Sequence, residues 1–545
     1  MKKLERWDVE DPEFWTSQGK RVAYRNLLVS VPNLLCGFAV WLYWGMVAKF
    51  VQRIHFADTS LFDFTFLNHG ESYASDPYRG LLFTLPAVAG LAGATLRIPN
   101  SFMIAICGGR NVKFMTTVLL LLPAVAAGFA LRNPETPFLT FVILAALSGV
   151  GGGAFASSMS NISFFFPKRM QGLSLGLNAG LGNAGVSVMQ FLLPWIITFG
   201  AFGGLGGDPY SIPADGGAVT LLWVQNAAFV WVPVLAFFAL AAFLLMDNLP
   251  QHDVGSTPVA IAKYLWLTVL GFLGAAVGIV LLLLPWGGFP VLLKIFVVLA
   301  VSVFTTLGAM RMLTPPATKD KLVDQFAIFR NKHNWTMTWL YTMTFGSFIG
   351  YANAFPKLID DVFGVVRVGG DGSALAEPIL NANAPVSASY IWIGAGVGAL
   401  IRPLGGWLAD KFGGARVTHW DTVIMIGATI GAGWFVAQAS QSQTPEQYFL
   451  PFLLLFILLF ATTGIGNGST FRMIPIIFDK EQAGPVLGWT SAIAAYGAFL
   501  IPKVFATQIE GGTPQYALYG FAVYYASCLG VNWWFYARRG AEVPC

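Results

Sequence analysis

The chain has 545 residues, of which 56% are hydrophobic and 11% charged, with a formal net charge of +5. A soluble domain carries about 25% charged residues. With a mean hydropathy of +0.64, this composition excludes a soluble enzyme, a disordered chain and a secreted disulfide scaffold. Apolar runs long enough to cross about 30 Å of hydrocarbon recur along the chain, without the short alternating strands of a membrane barrel. They describe an all-α polytopic membrane protein.

In chain order, residues 1–27 are too charged for a cleaved signal peptide and are read as a cytoplasmic N-terminal segment. Spans are predicted near 28–51, 80–107, 113–131, 137–166, 173–200 and 219–246, which make an N-terminal six-helix bundle over 28–246. Two more, near 259–285 and 290–313, form an inserted hairpin that with a cytoplasmic loop fills 247–334. Six follow near 335–359, 386–409, 418–439, 448–478, 484–509 and 515–536, a C-terminal bundle over 335–536 with 537–545 as a tail. Fourteen spans put both ends on one side. Lys2, Lys3, Arg6, Lys20, Arg21 and Arg25 precede the first span, and Arg110, Lys113, Lys168, Arg169, Lys319, Lys321, Arg330, Lys332, Lys411, Arg416, Arg538 and Arg539 occupy every second loop and the tail. The opposite loops hold only Arg53, Arg79, Arg132 and Arg367, so both termini are predicted to be cytoplasmic, and the basic excess calls for no nucleic acid. Cys36, Cys107, Cys528 and Cys545 show no pairing signal, and neither a metal-ligand cluster nor a cofactor motif is evident.

An internal repeat organises the chain. Gly93-Ala94-Thr95-Leu96-Arg97 recurs as Gly398-Ala399-Leu400-Ile401-Arg402, and each arginine is followed by a glycine pair, Gly108-Gly109 and Gly413-Gly414. Gly152, Ser157 and Phe166 align on Gly464, Ser469 and Phe478, and Gly176 and Gly185 on Gly488 and Gly497. Two six-helix halves in the same orientation are a transporter architecture, with a substrate site near the midplane.

Ionisable groups at depth are costly in a membrane and therefore informative. All acids are placed in loops, termini or span ends, Asp360, Asp410 and Glu510 lying closest to a span interior, and His55, His69, His252, His333 and His419 are in or beside loops. Arg97 and Arg402 alone fall well inside equivalent spans, roughly 10 Å from a boundary at 1.5 Å per residue. Their guanidinium groups offer planar paired donors that stay charged, suited to a small planar oxyanion. Lys49, Lys294 and Lys503 lie near span ends, where snorkelling is the default. Arg472, with Asp479 and Glu481 nearby, is read as a cytoplasmic gate contact.

Further motifs carry a family resemblance. Gly180-Leu181-Gly182-Asn183-Ala184-Gly185 with Gln190, the run Phe155 to Pro167, Thr344 to Gly350, Gly464-Ile465-Gly466-Asn467-Gly468-Ser469 and the opening Trp7 to Trp15 resemble NarK-type nitrate/nitrite porters of the major facilitator superfamily, as do the two arginine motifs. Gly406 to Gly413 matches that superfamily's cytoplasmic loop pattern, whereas Ala105 replaces the acidic residue in the first half. The resemblance implies a nitrate held between Arg97 and Arg402 with Phe155 and Phe345 on its faces. It further implies a hydroxyl donor from Tyr341, contributions from Asn183 and Ser469, and conformational glycines at Gly180, Gly182, Gly185, Gly464, Gly466 and Gly468. The inserted pair is expected to pack peripherally without touching substrate.

No buried nucleophile, metal cluster or haem-ligating histidine pair points to a membrane enzyme, and no soluble output domain points to a sensor. The reading is a nitrate/nitrite antiporter of the inner membrane, functional as a monomer in the lipid bilayer and without a cofactor. Proton-coupled nitrate symport is the alternative.

Overall fold

A computed structural model describes residues 4–64, 77–213, 219–252, 254–369 and 373–545. Lys2, Lys3 and His69 lie outside these residues, as do the side chains of Arg79 and Glu510. Lipid offers the backbone no hydrogen-bond partner, so a chain of this composition satisfies its own N–H and C=O groups in helices. Helices occur at all fourteen expected positions. They are α1 Lys20–Leu42 and α2 Trp44–Ala57; α3 Pro77–Asn100 with the short α4 Met103–Cys107; α5 Gly109–Ala130; α6 Phe138–Phe165; α7 Gln171–Ile196; and α8 Trp231–Leu245. The inserted pair is α9 Thr257–Leu283 and α10 Val291–Leu313. Then come α11 Lys332–Tyr341, running through a π-helical turn at Thr342–Gly346 into α12 Ser347–Leu358; α13 Ile391–Leu400 and α14 Arg402–Phe412; α15 Gly414–Ser440; α16 Phe449–Ile477; α17 Lys480–Ala495 and α18 Gly497–Glu510; and α19 Gln515–Asn532. Among the described residues, ten stretches are long and apolar enough to cross a membrane.

Several boundaries shift from those expected, and three have a local reason. Helical structure starts at Pro12, because Asp11 caps it by accepting from the N–H groups of Glu13 and Phe14 at 3.0 and 3.4 Å. Those donors hold the Asp11 carboxyl below its ordinary value. Residues 219–222, expected in a span, instead form strand β2 (Val219–Leu222), antiparallel to β1 (Tyr210–Pro213) with Tyr210 opposite Leu222. A second hairpin, β3 (Val365–Val368) with β4 (Ala374–Leu380), follows α12. Finally, α15 begins at Gly414 and not near 418, so its first two turns carry polar residues that a hydropathy reading leaves outside.

The repeat has a backbone signature as well as a sequence one. Gly108 (φ 80°, ψ 144°) and Gly413 (φ 92°, ψ 134°) take the same conformation, available to glycine and strained for other residues, and each launches the third helix of its half. Just upstream, both arginine-bearing spans are broken. Phe102 interrupts the helix after Asn100, and Ile401 separates α13 from α14.

The chain forms two compact units, one of residues 1–161, 185–284 and 298–324, the other of 162–184, 285–297 and 325–545. In the first, α1 and α6 approach closely at Gly37 and Gly151, and Asp247 binds Arg25 at 2.5 Å and the Asn26 amide at 2.8 Å. The inserted α9 lies against α3, where a Cβ on Gly271 would meet Leu96 and Pro99, and against α10, where one on Gly274 would meet Ser302 and Thr306. In the second unit, α12 packs on α18 at Gly350 and α14 on α16 at Gly405 and Gly468.

A Cβ on Gly413 would touch nothing closer than the Cys545 carbonyl oxygen at 3.4 Å, so a substitution there tests the backbone alone. Gly413→Ala should destabilise the protein by about 1–3 kcal/mol, the cost of holding alanine in a sparsely populated conformation. A thermal midpoint unchanged in detergent would show that the loop relaxes freely.

Candidate functional site

In the first unit, Arg97 sits in the last turn of α3 and is fully buried. Its Nε donates to the Gly152 carbonyl at 2.8 Å. Its guanidinium carbon lies 4.6 Å from the Phe155 ring centre, 5.3 Å from that of Trp41 and 5.8 Å from that of Phe38. Small residues make this possible: a Cβ on Gly152 would stand 2.7 Å from the Gly93 Cα, so only glycine lets α6 bring its carbonyl and Phe155 up to α3. Trp41 is held by its indole N–H, which donates to the Ala89 carbonyl at 2.6 Å. Arg97 and Phe155, both named by the resemblance, thus lie together in this unit. Phe38 and Trp41 complete an aromatic enclosure that the sequence motifs did not single out.

In the second unit, Arg402 opens α14 immediately after the break at Ile401 and is also fully buried. Among the described residues none of its three side-chain nitrogens has a hydrogen-bond partner. What it has is rings: its guanidinium carbon is 4.3 Å from the Phe348 centre and 5.5 Å from that of Phe345. These belong to a stack in which Phe471 and Tyr341 lie 4.0 Å apart at 10°, Tyr341 and Phe345 5.6 Å apart at 5°, and Phe345 and Phe348 6.3 Å apart at 29°. Phe345 rides on the π-helical turn at Thr342–Gly346, a feature that recurs where helices carry functional side chains. The structure brings Arg402, Phe345 and Tyr341 into one cluster, with Phe348 closer to the cation than Phe345. Phe348 lies one turn beyond Phe345 on the same helical stretch, and that spacing is the signal that could have found it.

The backbone of Arg402 is hemmed in by glycines. A Cβ on Gly468 would be 2.5 Å, and one on Gly176 3.0 Å, from the Arg402 carbonyl oxygen, and one on Gly180 would be 3.2 Å from the Arg402 Cβ. Gly464 and Gly466 similarly admit α13 and Thr344, while Gly185 admits the Leu35 backbone in the first unit. Gly182 is buried. Asn183 is fully buried, with both amide atoms lacking a partner among the described residues. Ser469 is differently placed. Its hydroxyl meets that of Thr418 at 2.7 Å and donates to the Gly466 carbonyl at 3.2 Å, an arrangement that joins α16 to α15.

Two charged groups depart from the sequence reading. Arg472 pairs not with Asp479 or Glu481 but with Asp410, Nε to Oδ1 at 2.5 Å, and Asp410 also accepts from the N–H groups of Gly172 and Leu173 at 3.2 and 3.0 Å. The acidic residue of the cytoplasmic loop pattern thereby ties α14, α16 and the start of α7 together. Asp421, expected at a span end, lies two turns inside α15 and is 5% exposed. It makes no hydrogen bond or ion pair among the described residues, and its Oδ2 would be 2.7 Å from a Cβ on Gly466.

No family model matches the chain. The probable nitrate/nitrite antiporter NarK2 of Thermus thermophilus is 33% identical over 541 residues, covering 99% of this chain and 97% of that protein. The nitrate/nitrite transporter NarU of Escherichia coli (strain K12) is 33% identical over 559 residues, covering 98% and 96%. Among solved structures, the human organic anion transporter MFSD10 matches with a TM-score of 0.55 at 13% identity, covering 94% of this chain and 99% of its own. The proton:xylose symporter XylE of the major facilitator superfamily matches with a TM-score of 0.55 at 14% identity, covering 94% and 96%. At these identities the structural likeness concerns the fold.

A buried guanidinium with ring faces but no hydrogen-bond partner among the described residues is a destabilising feature. Arg402→Met keeps the length and apolar contact of the side chain and removes the charge. It should raise the thermal midpoint, by the equivalent of about 1–4 kcal/mol if the site behaves as other buried charges replaced by apolar groups. A fall in the midpoint of purified protein would contradict this account of Arg402.

Proposed function

We propose, because the chain belongs to the NarK/NarU family of nitrate/nitrite transporters and has the major facilitator fold, that it carries nitrate and nitrite across the inner membrane as an antiporter working by alternating access. It is a carrier and not an enzyme. The observation that carries the reading is Arg402, a fully buried cation whose three nitrogens have no hydrogen-bond partner among the described residues. An arginine cannot shed its proton to relieve that burial, and a bound anion would both pair its donors and offset its charge. Planar nitrate and nitrite suit the flat donor edge of a guanidinium, and the faces of Phe155 and Phe345 suit the flat anion. In this reading Arg97 and Arg402 are the anion's cationic ligands, Tyr341 and Asn183 add polar contacts, and Ser469 contributes by holding α16 in place. The chain works as a monomer with both termini in the cytoplasm.

Exchange follows from the charges. An unloaded carrier that excludes water around two guanidinium groups raises their mutual repulsion, because Coulomb energies grow as the dielectric falls. A bound monovalent anion offsets much of that cost, so the loaded form reorients while the empty form is held back. Nitrate and nitrite carry the same charge in the same plane, and either can do this.

Proton coupling has one observation in its favour, the buried carboxylic side chain of Asp421 beside Gly466. Labelled-nitrate uptake into proteoliposomes separates the two. Antiport predicts dependence on internal nitrite, little response to an imposed proton gradient, and retained exchange in Asp421→Asn. Fast gradient-driven uptake into anion-free vesicles, abolished by Asp421→Asn, would establish symport instead. Arg97→Lys and Arg402→Lys keep the charge but lose the planar paired donors, and exchange should fall at least tenfold in each. That asks for about 1.4 kcal/mol, within the worth of one charge-assisted hydrogen bond. Wild-type rates in both variants would remove the arginines from the binding site.

A further inference from the structure

The two arginine-bearing spans are repeats in sequence but not in surroundings. In the second unit the outward positions of α13 and α14 are exposed: Leu400 at 61%, Leu404 at 46%, Trp407 at 46% and Phe412 at 52%. Their repeat equivalents in the first unit, Thr95, Pro99, Phe102 and Cys107, are all buried. On this side of the first unit packs helix α9 of the inserted hairpin. Helix α9 lies along α3, and it also contacts α4 and α5, so it bridges the break at Ser101–Phe102 that follows Arg97. The contact is close because α9 turns glycines toward it. A Cβ on Gly271 would stand 2.8 Å from Leu96 Cδ2 and 2.9 Å from Pro99 Cγ, the residues on either side of Arg97 and Ile98. One on Gly278 would reach Leu91 Cδ2 at 3.3 Å. The same glycine stripe seats α9 on α10, with Gly274 against the Ser302 carbonyl at 2.9 Å, and the start of α9 is anchored by Tyr264, whose hydroxyl meets that of Thr116 on α5 at 2.9 Å.

We propose that the inserted hairpin is a splint for the broken helix that carries Arg97, and that Gly271 is a positioning residue for the Arg97 guanidinium. Proline and helix breaks are where a membrane helix bends, and a break facing lipid is free to do so. The first unit's break is clamped on both sides by a third helix, so Arg97 is held in register with Gly152 and Phe155. The second unit's break, beside Arg402, has no such cover among the described residues. The consequence is a carrier in which one cation is fixed and the other sits at the pliable joint. The part played by Arg97 in anion binding rests on the function proposed above. The splinting of the helix does not.

The test therefore has two readouts on purified, reconstituted protein. Hydrogen exchange in the wild type should be slower for the amides of 100–107 than for those of their repeat equivalents 405–412. Gly271→Ile, which pushes on Leu96 and Pro99, should speed exchange at 100–107 and raise the half-saturating nitrate concentration for exchange at least threefold at equal amounts of folded carrier. Leu96→Ala in the same chain should restore both. Gly308→Ile, on α10 where a Cβ would meet only the Met312 side chain at 3.7 Å, should change neither. Gly271→Ala is read the same way if the isoleucine variant does not fold. Unchanged hydrogen exchange in the Gly271 variants overturns the splint. Faster exchange with an unchanged half-saturation overturns the positioning role when Arg97→Lys does shift that value. When Arg97→Lys leaves it unchanged as well, the proposed function fails while the splint stands.

Discussion

A guanidinium group keeps its charge at any pH a cell experiences, so burying one commits the surrounding structure to compensating it. Taking such an ion out of water costs several kcal/mol even after relaxation, whereas an aromatic face returns about 0.5–2 kcal/mol. Around Arg97 stand three rings and a carbonyl, and around Arg402 two rings, with no hydrogen-bond partner for its nitrogens among the described residues. The second account does not close. A protein that keeps a fully buried arginine in that condition holds a standing attraction for a small anion, and the helices around it are arranged to preserve the attraction.

That preservation depends on residues with almost no chemistry of their own. A ring can sit 4–5 Å from a guanidinium buried between helices only if the helices approach closely, and small residues allow this in a membrane, where apolar side chains gain little by meeting one another. Gly93 and Gly152 do so for Arg97, and Gly176, Gly180 and Gly468 for Arg402. The same contacts explain why glycine-rich stretches recur beside both arginines. The glycines bring charge, rings and carbonyls into range, and the ligand chemistry belongs to those groups.

Much of this arrangement was legible in the amino-acid sequence, for identifiable reasons. The arginines announced themselves because charge inside a long apolar run has no bland explanation when it occurs twice in register. The helices followed from hydropathy, and the repeat from paired motifs. Phe155, Phe345 and Tyr341 could be singled out only through family resemblance, since aromatic residues are common throughout the chain and nothing local marks one ring as a partner for a cation. Phe348 and Trp41 went unnoticed for the same reason. Asp421 was misplaced because hydropathy sets a span by its apolar middle, and α15 starts four residues earlier than its apolar stretch does, at the turn that Gly413 enforces. The partner of Arg472 was missed because Asp410 is distant in sequence and reaches it only through the packing of α14 on α16. The π-helical turn under Phe345 and the engagement of the Ser469 hydroxyl with Thr418 are tertiary outcomes, without a residue pattern that encodes them.

Duplication supplied two equivalent cations, and later differences made them unequal. Arg97 donates to the Gly152 carbonyl, a bond that orients the guanidinium. Arg402 has spent no donor among the described residues, so in the function proposed above its full planar edge would face the oxyanion. Orientation and attraction are thus divided between the halves. The division matters for a carrier, because a site that binds equally well throughout its cycle has no reason to release its cargo. A ligand shifts an equilibrium only by its differential affinity for the two states. In the function proposed above, an Arg402 beside a helix break would hold the anion strongly in one state and weakly in another, according to whether the pliable joint brings its guanidinium to bear.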